Sequence, residues 1–166
     1  MNTRTTVAVA AVLFISLAGC GTAESKTPGP AETPTVEAAS TPSLSAVDQL
    51  RNWRDTGGSD QLSTITADLT AVNKDSHPVN LPGLRKSCPR MTADLEAAQK
   101  GDPMPDKTLA TRWSLALEHL AASAAACAQG ANSEDQASFD TMAAEMSIGT
   151  EHLVAVNDRL TEIIGS

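Results

Sequence analysis

Beyond residue 60 the chain is organised by apolar residues that recur every three or four positions. Leu62, Ile65, Leu69 and Val72 step by three, four and three, and Leu81, Leu84, Cys88, Met91, Leu95 and Ala98 continue the rule. A third series runs through Leu109, Trp113, Ala116, Leu120, Ala124 and Cys127. A fourth joins Phe139, Met142, Met146, Gly149, Leu153, Val156, Leu160 and Ile163. Such spacing puts one apolar seam along one side of a helix, so the pattern predicts four long helices and no strands.

The breaks between the series agree with this reading. Asp102-Pro103-Met104-Pro105 interrupts the chain, and Pro105 suits the first turn of the third long helix. Gly101 and Gly130 stand where helices should stop, and Ser133 with Gln136 forms a capping-box pair for the fourth. His77-Pro78 and Leu81-Pro82 mark the turn between the first two. Pro89 falls inside the second series and implies a kink or a late start. A shorter segment, Ser45 to Asp55, leads in. Nine residues separate Trp53 from Leu62, or about 900° at 100° each, so an unbroken helix would turn them to opposite faces. A break at Gly57-Gly58 lets both reach one core. The expected fold class is all-α: a four-helix bundle with a short leading helix, spanning residues 44–166, with up-down connectivity from its short turns.

The N-terminus has a different character. Met1-Asn2-Thr3-Arg4 carries one positive charge, and Val7 to Leu17 is an apolar run of eleven residues. As a helix it would rise only about 16 Å, half a bilayer core, which fits a signal-peptide core rather than a membrane span. Leu17-Ala18-Gly19-Cys20 resembles the lipobox of bacterial lipoproteins. The resemblance implies a signal peptide over 1–19 and diacylglyceryl transfer to the Cys20 thiol. It also implies anchorage at the cell membrane on the extracytoplasmic side, since two or three acyl chains exceed the single-chain limit of stable binding. Residues 20–43 then form a tether: Pro28, Pro30, Pro34 and Pro42 stand among Thr, Ala, Ser and Glu, with Val36 the one bulky apolar residue. Such a stretch cannot bury enough surface to offset its ordering entropy, and its random-coil span is about 25 Å.

Three cysteines are odd for an exported chain; with Cys20 assigned to lipid, Cys88 and Cys127 remain as a pair. Both lie on apolar series, and an oxidising compartment favours a disulfide. The register is imperfect. Thirteen residues separate Cys88 from Gly101 and twenty-two separate Pro105 from Cys127, an offset of about 13 Å that a long connection must absorb.

Charge narrows the partners. The chain carries twelve Lys and Arg against twenty Asp and Glu, a net −8, and loss of 1–19 would bring it near −9. Nucleic acid is excluded as a partner, because phosphate binding needs a basic surface. Aromatics make up 2% of the chain, too few for a stacking platform.

No phosphate loop, nucleophile elbow or His-Glu-x-x-His string is present, so no catalytic residue and no cofactor is assigned. His77 sits in a turn. His119 and His152 each follow a glutamate directly, Glu118 and Glu151, and neighbours on a helix diverge by about 100°, so no metal ligands are assigned. Asp68 beside Leu69 and Asp94 beside Leu95 read as solvated. Asn157 reads as a boundary asparagine or a buried register-setting one. Trp113 belongs to the core, while Trp53 sits at the bundle edge. Arg85, Lys86 and Arg90 form a basic cluster, and residues 131–166 carry seven acids against Arg159 alone. That contrast means either helix-to-helix complementarity or an electrostatic partner surface.

The order Trp53, Gly57-Gly58, Gln61-Leu62, Ile65, Asp68-Leu69, Leu84, Cys88, Asp94, Ala97-Ala98, Pro103, Pro105, Trp113, Ala116-Leu117 and Cys127 resembles a group of small helical exported lipoproteins of actinobacteria. The resemblance covers roughly residues 50–160 and implies origin and class, with no activity to transfer. The expected role is a membrane-anchored interaction or accessory module of the cell envelope, with an envelope protein as partner. The alternative is a binder of an apolar small molecule or lipid within the bundle, suggested by the small-residue run Ala121 to Ala128.

Overall fold

A computed structural model describes residues 44–165. Cys20, the signal peptide 1–19 and the tether 20–43 lie outside the described residues.

The short helix α1 (Ala46–Trp53) is started by Ser45, whose hydroxyl accepts from the Asp48 amide at 3.1 Å. It passes through a wide turn, Arg54–Gly58, into α2 (Ser59–Ser76). The expected break is there: Gly57 has φ 137° and ψ −17°, a conformation open to residues without a Cβ. The turn lets Trp53 pack edge-on against Trp113, ring centroids 6.1 Å apart, while Ile65 of α2 faces the same interior. Both tryptophans are buried, so Trp53 is a core residue as Trp113 is. Its indole N–H donates to the Asp102 carbonyl at 3.0 Å.

Three more helices follow: α3 (Leu81–Lys100), α4 (Lys107–Ser133) and α5 (Gln136–Ile164). Each opens on a side-chain cap. Asn80 accepts from Gly83, Asp106 from Leu109 and Asp135 from Ser138. These caps satisfy amides that have no partner inside the helix. Together the elements make an all-α four-helix bundle with a short leading helix and no strands among the described residues.

Several boundaries differ from the sequence reading. Pro105 precedes the Asp106 cap instead of lying in the first turn of α4. Gly130 does not stop α4; it is buried inside the helix, facing the Phe139 ring, where a Cβ would come within 3.0 Å of a ring carbon. The helix ends three residues later, with Glu134 in the left-handed region at φ 57°. The capping role therefore passes from Ser133 to Asp135, and the Ser133 hydroxyl bonds back to the Gln129 carbonyl. Pro89 lies within α3, which already begins at Leu81. Its side chain is on the exposed side, so the carbonyl it leaves unpaired at Arg85 faces water.

Cys88 and Cys127 are joined as a disulfide between α3 and α4, with Cα atoms 5.8 Å apart. The register problem is solved by the connection Gly101–Asp106. It carries the chain past the end of α3, so that α4 starts about 12 Å further out at 1.5 Å per residue. Met104 of this connection is buried beneath it.

Helices adjacent in sequence are adjacent in space: α2 packs on α3, α3 on α4, and α4 on α5. The fourth side is different. No Cα of α2 comes within 8 Å of any Cα of α5. The burial pattern records the same fact. The series on α3 is buried from Leu84 to Ala98 and that on α4 from Leu109 to Cys127, but Leu62, Leu69 and Met146 stay half-buried.

Candidate functional site

The α2–α5 seam is the feature that the packing leaves open. Its wider part, about 740 Å³, lies between Leu62, Thr66, Leu69 and Thr70 of α2 and Thr150, Leu153, Val154 and Asn157 of α5. A narrower hollow of about 330 Å³ continues it between Asn73, Ser76 and His77 on one side and Met142, Met146 and Thr150 on the other. The two helices run antiparallel, so Leu62 to Ser76 and Met142 to Asn157 border the same cleft for about 21 Å.

Its lining carries no carboxylate, lysine or arginine, although a fifth of the chain is charged. Three hydroxyls of α2 along the cleft are already committed. Thr66 donates to the Leu62 carbonyl at 2.7 Å, Thr70 to Thr66 at 2.9 Å and Ser76 to Val72 at 2.7 Å. With their protons donated locally, Thr66 and Thr70 offer the cleft mainly their methyl groups. Val154 is 52% exposed at the rim, a large apolar side chain left in water.

Charge is placed outside the cleft. Asp140 and Asp158 are eighteen residues apart, five full turns, and Glu151 lies about 20° from them, so the three form one stripe on α5. Val154 lies 40° to 60° from Glu151 and Asp158, placing the stripe along the outer rim. All three are exposed, and among the described residues none pairs with a base. Asp60 is exposed on α2 near the wide end.

Other residues singled out in the sequence serve the bundle itself. In the basic cluster, Arg85 donates to the Ala131 carbonyl at 2.9 Å and lies 3.7 Å from Glu134, so it neutralises the negative end of α4. Arg90 donates to Asp68 at 2.7 Å. Helix-to-helix complementarity thus accounts for two of the three bases. Asp68 is not solvated; it is 2% exposed between α2 and α3. Burial raises its pKa, Arg90 opposes that by hydrogen bonding, and Asp94 beside it adds to the rise. The partly buried Asp94 belongs to this cluster rather than to a solvated face. Asn157 is exposed, a boundary residue at the cleft.

His119 and His152 meet across the α4–α5 interface, their rings stacked with centroids 6.0 Å apart. Nδ1 of His119 is 2.7 Å from Oε2 of Glu145. Nδ1 of His152 is buried without a partner. The sequence treated these histidines separately, yet Glu145, Gly149 and His152 follow one another at four and three residues, which puts them on one face of α5. His77 stays exposed, its Nδ1 3.2 Å from the Asn73 carbonyl. Among the described residues no group of three or more His, Cys, Asp or Glu converges as metal ligands would.

Of the small-residue run Ala121 to Ala128, Ala121 borders a hollow of about 460 Å³ between α3 and α4, with Ala98, Met104, Trp113 and Leu117, while the rest of the run lies outside it. Ser123, Ala124 and Cys127 are buried, and the Ser123 hydroxyl crosses to the Met142 carbonyl of α5 at 2.9 Å. From Ser123 to Cys127 the run is where α4 presses against its neighbours, and the larger hollow lies between α2 and α5. Among the described residues no helix is long and apolar enough to cross a membrane. No family model, curated protein or solved structure matches this chain.

Proposed function

We propose that this chain is a lipid-anchored lipoprotein of the cell envelope, acylated at Cys20 and facing the extracytoplasmic side. In this reading its helical domain is an interaction module. The resemblance to small helical lipoproteins of actinobacteria fits this reading. One observation supports the interaction role above the others: α2 and α5 stay apart, so an uncharged apolar cleft runs along one side of an otherwise closely packed bundle. An exposed apolar surface of this kind is suited to binding a partner.

The anchor and the cleft are tested separately. Replacing Cys20 with Ser is expected to move the protein from the membrane fraction to the soluble one; unchanged partitioning refutes acylation there. For the cleft, a photo-crosslinking residue is placed at Val154 in the envelope-bound chain, and another at the exposed Ala97 on α3. The expected result is a reproducible adduct from Val154 alone, lost when Thr66→Trp fills the cleft. Equal capture from both positions, or none from either, removes the cleft as the binding surface.

The uncharged lining also favours a second reading, in which the cleft holds an apolar small molecule or a lipid tail. Native mass spectrometry of protein taken gently from the envelope separates the two. A retained lipid mass supports this alternative, and a bare mass counts against it.

A further inference from the structure

We infer that the occupant of the α2–α5 cleft is a basic amphipathic helix of a partner protein, with its apolar stripe on Leu69, Leu153 and Val154 and its lysines or arginines along Asp140, Glu151 and Asp158. The inference rests on the interaction reading above and names the partner's chemistry.

Three features select this occupant. The first is the distribution of charge. A single-headed lipid needs one polar contact at one end of its tail. Here the acids recur along about 27 Å of α5 on one azimuth, from Asp140 to Asp158. A row of anions beside an apolar floor complements a row of cations beside an apolar stripe, which is the pattern of a basic amphipathic helix.

The second is the shape of the rims. Ser63, Ala67 and Thr70 on α2, and Ala143, Ser147 and Thr150 on α5, are small side chains at the edges of the cleft. Small residues let a third helix approach two others closely enough for its side chains to enter the space between them. The cleft is also long enough: its 21 Å spans four turns of helix, room for anchors at i, i+4, i+7 and i+11.

The third is the absence of competition for these charges. Some acids of the domain are already neutralised by a base, as with Arg90 and Asp68, Arg85 and Glu134, or Arg159 and Glu162. The stripe on α5 pairs with no base among the described residues, and Asp140 accepts only from the Gln136 amide, at 2.9 Å.

The test uses the full chain and three defined probes. One is a synthetic peptide of about 18 residues, about 27 Å long as a helix, with leucines at i, i+4, i+7 and i+11 flanked by lysines. The second has glutamate for every lysine. The third is a long-chain monoacylglycerol. Methyl NMR reports the site through Leu69, Leu153 and Val154.

The basic peptide is expected to shift those methyls with an affinity that falls as salt is raised, while the acidic one leaves them unmoved. The triple change Asp140→Asn, Glu151→Gln and Asp158→Asn alters only exposed side chains, so the fold is retained. It should weaken the basic peptide about tenfold. Equal binding of the two peptides, or shifts confined to the α3–α4 side, overturns the inference. If only the monoacylglycerol moves the cleft methyls, the helical occupant is wrong and the cleft still binds. If no probe moves them, the cleft reading falls as well.

Discussion

Asp68 is a carboxylate held in the interior beside an arginine whose own side chain is 55% exposed. Burial costs the ionised form more than Arg90 returns, so the carboxyl titrates above its ordinary value of 3.8. A raised acid binds its proton more readily folded than unfolded. Its contribution therefore favours the fold at pH values below the ordinary value and declines as pH rises through the raised one. Asp135, capping α5, has its pKa lowered by the Ser138 hydroxyl and amide and acts in the opposite sense: its stabilisation fades as pH falls. Asp68→Asn should accordingly gain stability relative to the parent as pH rises from 4 toward neutrality, measured by urea unfolding across that range. A constant difference between the two proteins would show that Asp68 does not titrate in that window. The position was legible in part. Asp68 follows Ile65 by three and precedes Val72 by four, the same steps that mark the buried leucines, but a carboxylate beside Leu69 reads as solvent-facing until Arg90 is placed against it.

Helix identity was set by periodicity, and the four series each became one helix because every series is closed by a proline, glycine or capping side chain. Helix ends were less legible, since glycine has two uses. At Gly57 it supplies a backbone conformation with positive φ. At Gly130 and Gly149 it supplies room for a neighbour, and the helix simply continues. A Cβ on Gly149 would stand 2.7 Å from Cγ of Leu120 and 3.0 Å from its backbone nitrogen, so this residue sets how closely α4 and α5 approach. Gly149→Val is expected to cost about 1–3 kcal/mol by overpacking, seen as a lowered denaturation midpoint. An unchanged midpoint would mean that the two helices separate without loss. Sequence spacing could not distinguish these roles, because a packing glycine and a terminating one look alike until the partner helix is in place.

For the whole molecule, the disulfide and the cleft divide the labour. Cys88 and Cys127 close a loop of 39 residues across α3 and α4, which stabilises by roughly 4 kcal/mol if the effect is mainly on the unfolded chain. Reduction, or the double change to serine, should lower the unfolding midpoint by a corresponding amount while leaving the helical circular dichroism signal at low temperature. Loss of helix at once would show that the bond is needed to form the bundle rather than to secure it. The pairing was readable from cysteine arithmetic despite a register that did not fit, since loop paths are not encoded in periodicity. The open side was not readable at all. The Leu62 and Leu69 series looks the same whether its neighbour touches it or stands off, and only the assembled backbone decides which pair stays apart.

The C-terminal end of α5 lies against the close of α1, for Arg54 donates to the Gly165 carbonyl at 3.3 Å, while the disulfide ties the far end of α3 to the far end of α4. A pull applied at Leu44 therefore falls first on α1, secured by the buried Leu50 and Trp53, and reaches the cross-linked pair last. Drawn out, the twelve residues from Ala46 to Gly57 would lengthen from about 18 Å as helix to about 40 Å. Such an extension strips Leu50 and Trp53 from the core before it loads the cross-linked helices.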